Sequence, residues 1–164
     1  SQLDERSVPF PMEEVDLLKS DVKVKDTLAP LAALRNVRME VEGDSAMIFG
    51  VAKLIDELIT NLCDNAIKYN REDGTVRIGI SQKEQRVLLF VEDTGIGIPE
   101  EHQSRIFERF YRVDKSHSKQ TGGTGLGLSI VKHIAGFHHA DIHMVSTAGK
   151  GTCISVMFPK RTAE

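Results

Sequence analysis

Several things are missing from this 164-residue chain, and each absence excludes a class of function. With a net charge of −3 it has no basic excess, which argues against a nucleic-acid partner. No apolar run approaches the roughly 18 residues of a membrane span, and no signal peptide is visible. There are only two cysteines, Cys63 and Cys153, without the spacing of a metal site. Both sit in apolar patterns and read as reduced core residues of a cytosolic compartment. Internal repeats and low-complexity segments are absent. So is the pattern GxxxxGK[ST], and the glycine-rich segment near residue 123 does not follow a strand, so neither a P-loop nor a Rossmann unit fits.

What is present suits one domain with a real core. Hydrophobic residues make up 40% and charged residues 27% of the chain. Residues 1–14, polar and carrying Pro9 and Pro11, read as a linker, residues 15–160 as the domain, and residues 161–164 as a tail. Val24, Leu28, Leu31 and Leu34 recur at helical spacing, with Pro30 expected to bend that helix. VRMEVEG (37–43) and AMIFG (46–50) suggest strands. The strongest helix covers about 51–69, where Ile55, Leu58, Ile59, Leu62 and Ala66 form an apolar stripe. TVRIGIS (75–81) and RVLLFVE (86–92) read as a hairpin, EEHQSRIFERF (100–110) as a short helix, and 126–139 as another helix. DIHMVST (141–147) and TCISVMF (152–158) close the chain as a second hairpin. Hairpin strands with helices that must cover one face predict an α/β two-layer sandwich, not a doubly wound sheet.

Four stretches carry candidate chemistry. On the helix ELITNLCDNAIKYN, Asn61, Asn65 and Lys68 lie at i, i+4 and i+7 and share a polar face. Such a face suits a hydrated cation beside phosphate, and equally a solvated helix surface. In VEDTGIGIP, Asp93 ends an apolar strand and needs donors, which an adenine amino group or a simple Asx turn would supply. Thr124-Gly125-Leu126-Gly127 opens a helix, where free N–H groups attract anions. RFYRVDKSHSKQ sets Arg109, Arg112, Lys115 and Lys119 around Phe107, Phe110 and Tyr111 and reads as a loop that could cover a triphosphate or simply be solvated.

The order and spacing of these motifs resemble the catalytic ATP-binding domain of bacterial sensor histidine kinases, of the phosphate-regulon type. That family lies within the gyrase, chaperone, histidine kinase and mismatch-repair ATPase superfamily. NLCDNAIKYN resembles the N box, DTGIGIP the G1 box, IFERFYRVD the F box, GGTGLGLSIVKHI the G2 box and AGKGT the last glycine motif, together spanning about residues 50–158. The resemblance implies a Bergerat-type sandwich with a mixed, mostly antiparallel sheet and helices on one face. It implies ATP and Mg²⁺ as cofactors, with Asn65 holding the metal, Asn61 and Lys68 touching phosphate, and Tyr69 packing on the base. Asp93 would bind the adenine amino group in a pocket shaped by Gly95, Gly97, Ile98 and Thr152. Tyr111 and Arg112 would act from the lid, Arg112 on phosphate, while Gly123, Thr124, Gly125, Leu126, Gly127 and Leu128 would form the phosphate loop and helix start. Asn61, Asn65, Lys68 and Arg112 are the residues expected to carry the transfer.

The implied reaction moves the γ-phosphoryl group of ATP to a histidine. None of His102, His117, His133, His138, His139 and His143 is followed by Asp or Glu, so the phosphoacceptor is expected on a dimerisation domain outside this chain. Its partners would be that domain and, through the full-length protein, a response regulator, and the isolated domain would be monomeric. SQLDERS would be the frayed end of a preceding dimerisation helix. The parent would be anchored in the inner membrane, with this domain cytoplasmic. A water-activating glutamate, as in gyrase- or chaperone-type ATPases, would sit where this chain has Asn61, so hydrolysis is disfavoured; a serine kinase sharing the fold and a degenerate, non-enzymatic ATP-sensing module are the other rivals. Phe137-His138-His139-Ala140 stands where relatives often carry His-Gly-Gly, which leaves the geometry of that helix end open.

Overall fold

The computed structural model describes residues 11–111 and 127–159. In chain order the elements are β1 (Glu13–Asp16), α1 (Leu17–Leu34), β2 (Arg38–Glu42), β3 (Met47–Gly50), α2 (Ala52–Lys68), β4 (Thr75–Lys83) and β5 (Arg86–Asp93). α3 (Glu100–Gln103), α4 (Gly127–Phe137), β6 (Asp141–Thr147) and β7 (Gly151–Pro159) follow. The main sheet has the order β2-β4-β5-β7-β6, with β2–β4 parallel and every other pair antiparallel. β1 and β3 form a separate antiparallel pair.

Strand periodicity places the core. Val76, Ile78, Ile80, Val87, Leu89, Val91, Ile154, Val156 and Phe158 are buried on the sheet face that meets the helices. Their alternates, among them Arg77, Leu88, Phe90, Glu92 and Cys153, are only half-buried on the other face. α2 presents Ile55, Leu58, Ile59, Leu62, Cys63, Ala66 and Ile67 to that core, the stripe its spacing predicts. The result is the expected two-layer sandwich.

Local chemistry sets the helix ends. Asp16 caps α1, its Oδ1 accepting from the N–H groups of Leu18 at 3.0 Å and Lys19 at 3.4 Å. α4 stops at Phe137, two residues before its expected end, because His139 turns left-handed at φ 57°. Ala140 N–H then donates to Ala135 O at 2.9 Å and His139 N–H to Gly136 O at 3.1 Å, a Schellman ending built without glycine.

Several expectations need correction. Glu13 and Glu14, read as linker, begin β1, because pairing with β3 supplies hydrogen bonds that four residues cannot signal alone. The helix expected over 100–110 is α only through Gln103. Beyond it, Glu108 N–H donates to Arg105 O and Tyr111 N–H to Glu108 O, three-residue turns that bury Ile106 and leave Arg105 and Glu108 outside. Leu34 is 83% exposed and belongs to no core stripe. Cys153 is half-buried on the open sheet face, while Cys63 is fully buried, and both are free thiols. α1 runs through Pro30 to Leu34.

Candidate functional site

The C-terminal half of α2 is the wall around which the site is built. Asn61, Asn65 and Lys68 are half-buried on its polar side. Lys68 Nζ lies 3.2 Å from Asp64 Oδ2 one turn earlier, a tie that holds the ammonium along the helix. Gly127, at the start of α4, faces Asn61, so close that a Cβ there would meet Asn61 Oδ1 at 3.8 Å. Leu128 follows and packs partly buried against the core. The helix start expected to face phosphate therefore lies beside the polar face of α2. Arg112, Gly123, Thr124, Gly125 and Leu126 lie outside the described residues.

At its end α2 meets the loop after β5. Tyr69 ends the helix, and its carbonyl accepts from Ile96 N–H at 3.1 Å. A Cβ at Gly95 would come within 2.3 Å of that carbonyl, so only glycine allows the approach. Gly97 adopts φ 72°, with Thr147 O 2.1 Å from where its Cβ would lie. Ile98 N–H donates to Ser146 Oγ at 2.8 Å. The loop is thus gripped between α2 and the β6–β7 hairpin.

Asp93 sits at the root of this loop. Its Oδ1 accepts from Gly95 N–H at 2.9 Å and from Thr152 N–H at 3.3 Å. Burial pushes its carboxyl up to about 6, and the two backbone N–H groups oppose that shift. With Oδ1 occupied by both donors, Oδ2 is left, among the described residues, as the acceptor for a partner. Thr152, 9% exposed, lies directly opposite Asp93 on β7. The described part of the polypeptide expected to form the lid reaches Tyr111. The Tyr111 hydroxyl contacts His102 Nδ1, and the Arg105 guanidinium lies 4.5 Å from the Tyr111 ring centre.

Three residues of this assembly are not legible in the sequence. Gln103 Nε2 donates to Ile98 O at 2.9 Å and to Ser146 O at 3.1 Å, tying α3 to both sides of the loop. Ser146 bonds the loop and the next strand together. Arg71 donates from its guanidinium to Gly149 O and braces the β6–β7 turn, whose Gly149 N–H in turn donates to Ile96 O at 2.7 Å. Each role depends on a partner between 43 and 78 residues away, for which short-range pattern carries no signal. Among the described residues, no group of three or more His, Cys, Asp or Glu could form a metal cage, and no helix is long and apolar enough to cross a membrane.

Residues 50–162 match the family model described as histidine kinase-, DNA gyrase B- and HSP90-like ATPase. The chain is 38% identical over 150 residues to the sensor histidine kinase YkoH of Bacillus subtilis, covering 92% of this chain and 32% of that protein. It is 40% identical over 143 residues to the phosphate regulon sensor protein PhoR of Pseudomonas aeruginosa, covering 86% and 32%. The chain thus spans about a third of the length of the curated relatives it matches. A solved structure of the mycobacterial sensor histidine kinase MprB superposes with a TM-score of 0.81 at 25% identity, over 93% of this chain and all of that one. A polar helix face beside a glycine-gripped carboxylate, on this sheet order and with these relatives, places the chain in the histidine kinase-, DNA gyrase B- and HSP90-like ATPase family, as an ATP-binding catalytic domain of the sensor histidine kinase branch.

Proposed function

We propose that the chain binds ATP with Mg²⁺ between α2, the Gly95–Ile98 loop and the start of α4, and presents the γ-phosphoryl group to a histidine on the dimerisation domain of the same kinase. The observation that carries this reading is Asp93. Its Oδ1 is held by two backbone N–H groups, which leaves Oδ2 as an acceptor for an exocyclic amine. Tyr69, Gly95, Gly97, Ile98 and Thr152 wall the base. Asn61 and Lys68 contact phosphate, with Gly127 and Leu128 closing the helix start; Tyr111, Arg112 and the segment Gly123–Leu126 complete the site from the lid side.

The single carboxamide of Asn65 suits Mg²⁺, which keeps its waters and takes phosphate oxygens in place of a protein cage; when bound, the ion neutralises phosphate charge. What this chain's residues do is position: the polar face of α2 aligns the phosphates and Asp93 fixes the base. Asn61, unlike a glutamate, cannot serve as a base toward water, so net hydrolysis is slow. The response regulator is reached through the full-length protein, whose parent is anchored in the inner membrane with this monomeric domain on the cytoplasmic side.

The test mixes the chain with ATP, Mg²⁺ and a separately produced histidine-bearing dimerisation domain. Acid-labile phosphate should appear on that domain. Acid-stable phosphoserine, or steady phosphate release without transfer, overturns the reading in favour of a serine kinase or an ATPase.

A further inference from the structure

Ser146, Thr152 and Asp93 form one row across three adjacent strands. Ser146 is paired with Thr152 between β6 and β7, and Thr152 with Asp93 between β7 and β5. Directly opposed residues point to the same sheet face, so the three side chains lie side by side on the face that meets the helices.

The protons in this row can be assigned. Ser146 Oγ has three partners: Ile98 N–H at 2.8 Å, Gly151 O at 3.1 Å and Thr152 Oγ1 at 2.8 Å. The Ile98 amide can only donate and the Gly151 carbonyl can only accept. Ser146 has one proton, and all three contacts are hydrogen bonds only when that proton goes to Gly151 O. Thr152 must then donate its own proton to Ser146. Its Oγ1 is left with lone pairs alone, beside an Asp93 carboxylate that also only accepts.

We infer that Ser146 is a specificity-determining residue that never touches the nucleotide: by taking the Thr152 proton it makes the base pocket an all-acceptor surface that selects a 6-amino purine over a 6-oxo purine. The inference rests on the adenine-pocket reading above. An exocyclic amine brings two N–H donors to such a surface. At position 6 itself, which these two side chains are inferred to face, a 6-oxo group brings lone pairs against lone pairs. Without Ser146 the Thr152 hydroxyl is free to rotate and donate, and the penalty on the 6-oxo base falls. Gln103 provides the contrast: its two amide protons go to Ile98 O and Ser146 O, so it braces the same loop with no proton link to Thr152.

The experiment measures the dissociation constants of the 164-residue chain for ATP and for inosine triphosphate, both with Mg²⁺, by calorimetry. Inosine triphosphate differs from ATP at the 6 position and its neighbouring ring nitrogen and adds no 2-amino group. Ser146→Ala should shrink the preference for ATP by about three- to tenfold, the worth of one hydrogen bond. Ser146→Thr, which keeps the hydroxyl, should restore it. Gln103→Ala should weaken both nucleotides by the same factor and leave their ratio unchanged. If Ser146→Ala weakens both equally, as a mere brace would, the inference is overturned while the adenine pocket stands. If the wild type itself does not prefer ATP, the pocket reading fails and the inference fails with it. Should Ser146→Ala unfold, Thr152→Val removes the same acceptor, and an unchanged ratio there overturns the inference.

Discussion

His138 Nε2 accepts the backbone N–H of Val51 at 3.1 Å, deep in the core, where the histidine is 4% exposed. Its Nδ1 lies 2.8 Å from Ile134 O, and a carbonyl only accepts, so Nδ1 carries the proton and the ring is neutral. Val51 stands at the capping position just before α2 and has no side chain able to cap it. His138 therefore ties the end of α4 to the start of α2, the two helices whose other ends border the phosphate side of the site. Gly50 makes room for the ring: a Cβ there would come within 2.7 Å of His138 Cδ2.

His138→Leu should destabilise the domain by about 1–3 kcal/mol, since it leaves a buried N–H without an acceptor. The wild type should also lose stability in acid. Burial lowers the His138 pKa below the ordinary 6.5, so the unfolded chain takes up the proton first as pH falls. Stability is whole above about pH 6.5 and declines below it until the folded pKa is reached. Urea unfolding across this range checks both points, and the leucine variant should lack this part of the acid decline.

Asp21 gives the opposite slope. It is 0% exposed on α1, and neither carboxylate oxygen has a hydrogen-bond partner among the described residues. Burial raises its carboxyl from 3.8 to about 8, so it is protonated at neutral pH, and on α2 the Cys63 thiol is pushed up by burial first and then by Asp21. The folded state holds the extra proton between 3.8 and about 8, so stability falls as pH rises through that window. Asp21→Leu should raise the melting temperature, with the gain widest at the alkaline end. A leucine variant that melts below wild type at about pH 8 would refute this account of the buried carboxyl.

Legibility in the sequence followed the range of the forces involved. α2, both hairpins and Asp93 at a strand end were readable because an apolar stripe or a strict alternation is repeated within a few residues. β1 was not, since EEVD has one buried residue and its pairing partner lies more than 30 residues away. The helix expected over 100–110 ends early because the Gln103 side chain is tied to Ser146 and Ile106 turns inward just beyond it. Ser146, Gln103 and Arg71 were invisible for the same reason: each acts through contacts that exist only once the β6–β7 hairpin closes on the Gly95–Ile98 loop. Histidine at the left-handed end of α4 shows that glycine is favoured there, not required.

Gly97 and Gly136 separate a glycine the site needs from one it does not. Gly97 has a positive φ, and an added Cβ would collide with Thr147 O. Gly97→Ala should lower the melting temperature by about 2–4 °C per kcal/mol of strain and weaken ATP binding in parallel, because the loop must lift off the hairpin. An added Cβ at Gly136, in α4, has nothing within 4 Å. Gly136→Ala should stabilise the domain by about 0.5–1 kcal/mol and leave ATP affinity unchanged. Thermal melts and calorimetry on the two variants check the pair.

Asp93→Asn should do more than weaken ATP binding. The N–H groups of Gly95 and Thr152 require an acceptor at the Oδ1 position, so the amide must place its oxygen there and its NH₂ where Oδ2 was. A donor then faces the 6-amino group. ATP affinity should fall about 10- to 100-fold, the worth of a charged hydrogen bond, while inosine triphosphate, whose 6-oxo group accepts, should lose far less or gain. The wild type should show the same logic in its pH profile. The Asp93 carboxyl is raised to about 6, and since Oδ1 is occupied, protonation falls on Oδ2. ATP affinity should be level above about 6 and decline toward tenfold per pH unit below it. Calorimetric titrations from neutral to mildly acidic pH should show that decline in the wild type and not in Asp93→Asn. A parallel decline in both would place the titrating group elsewhere.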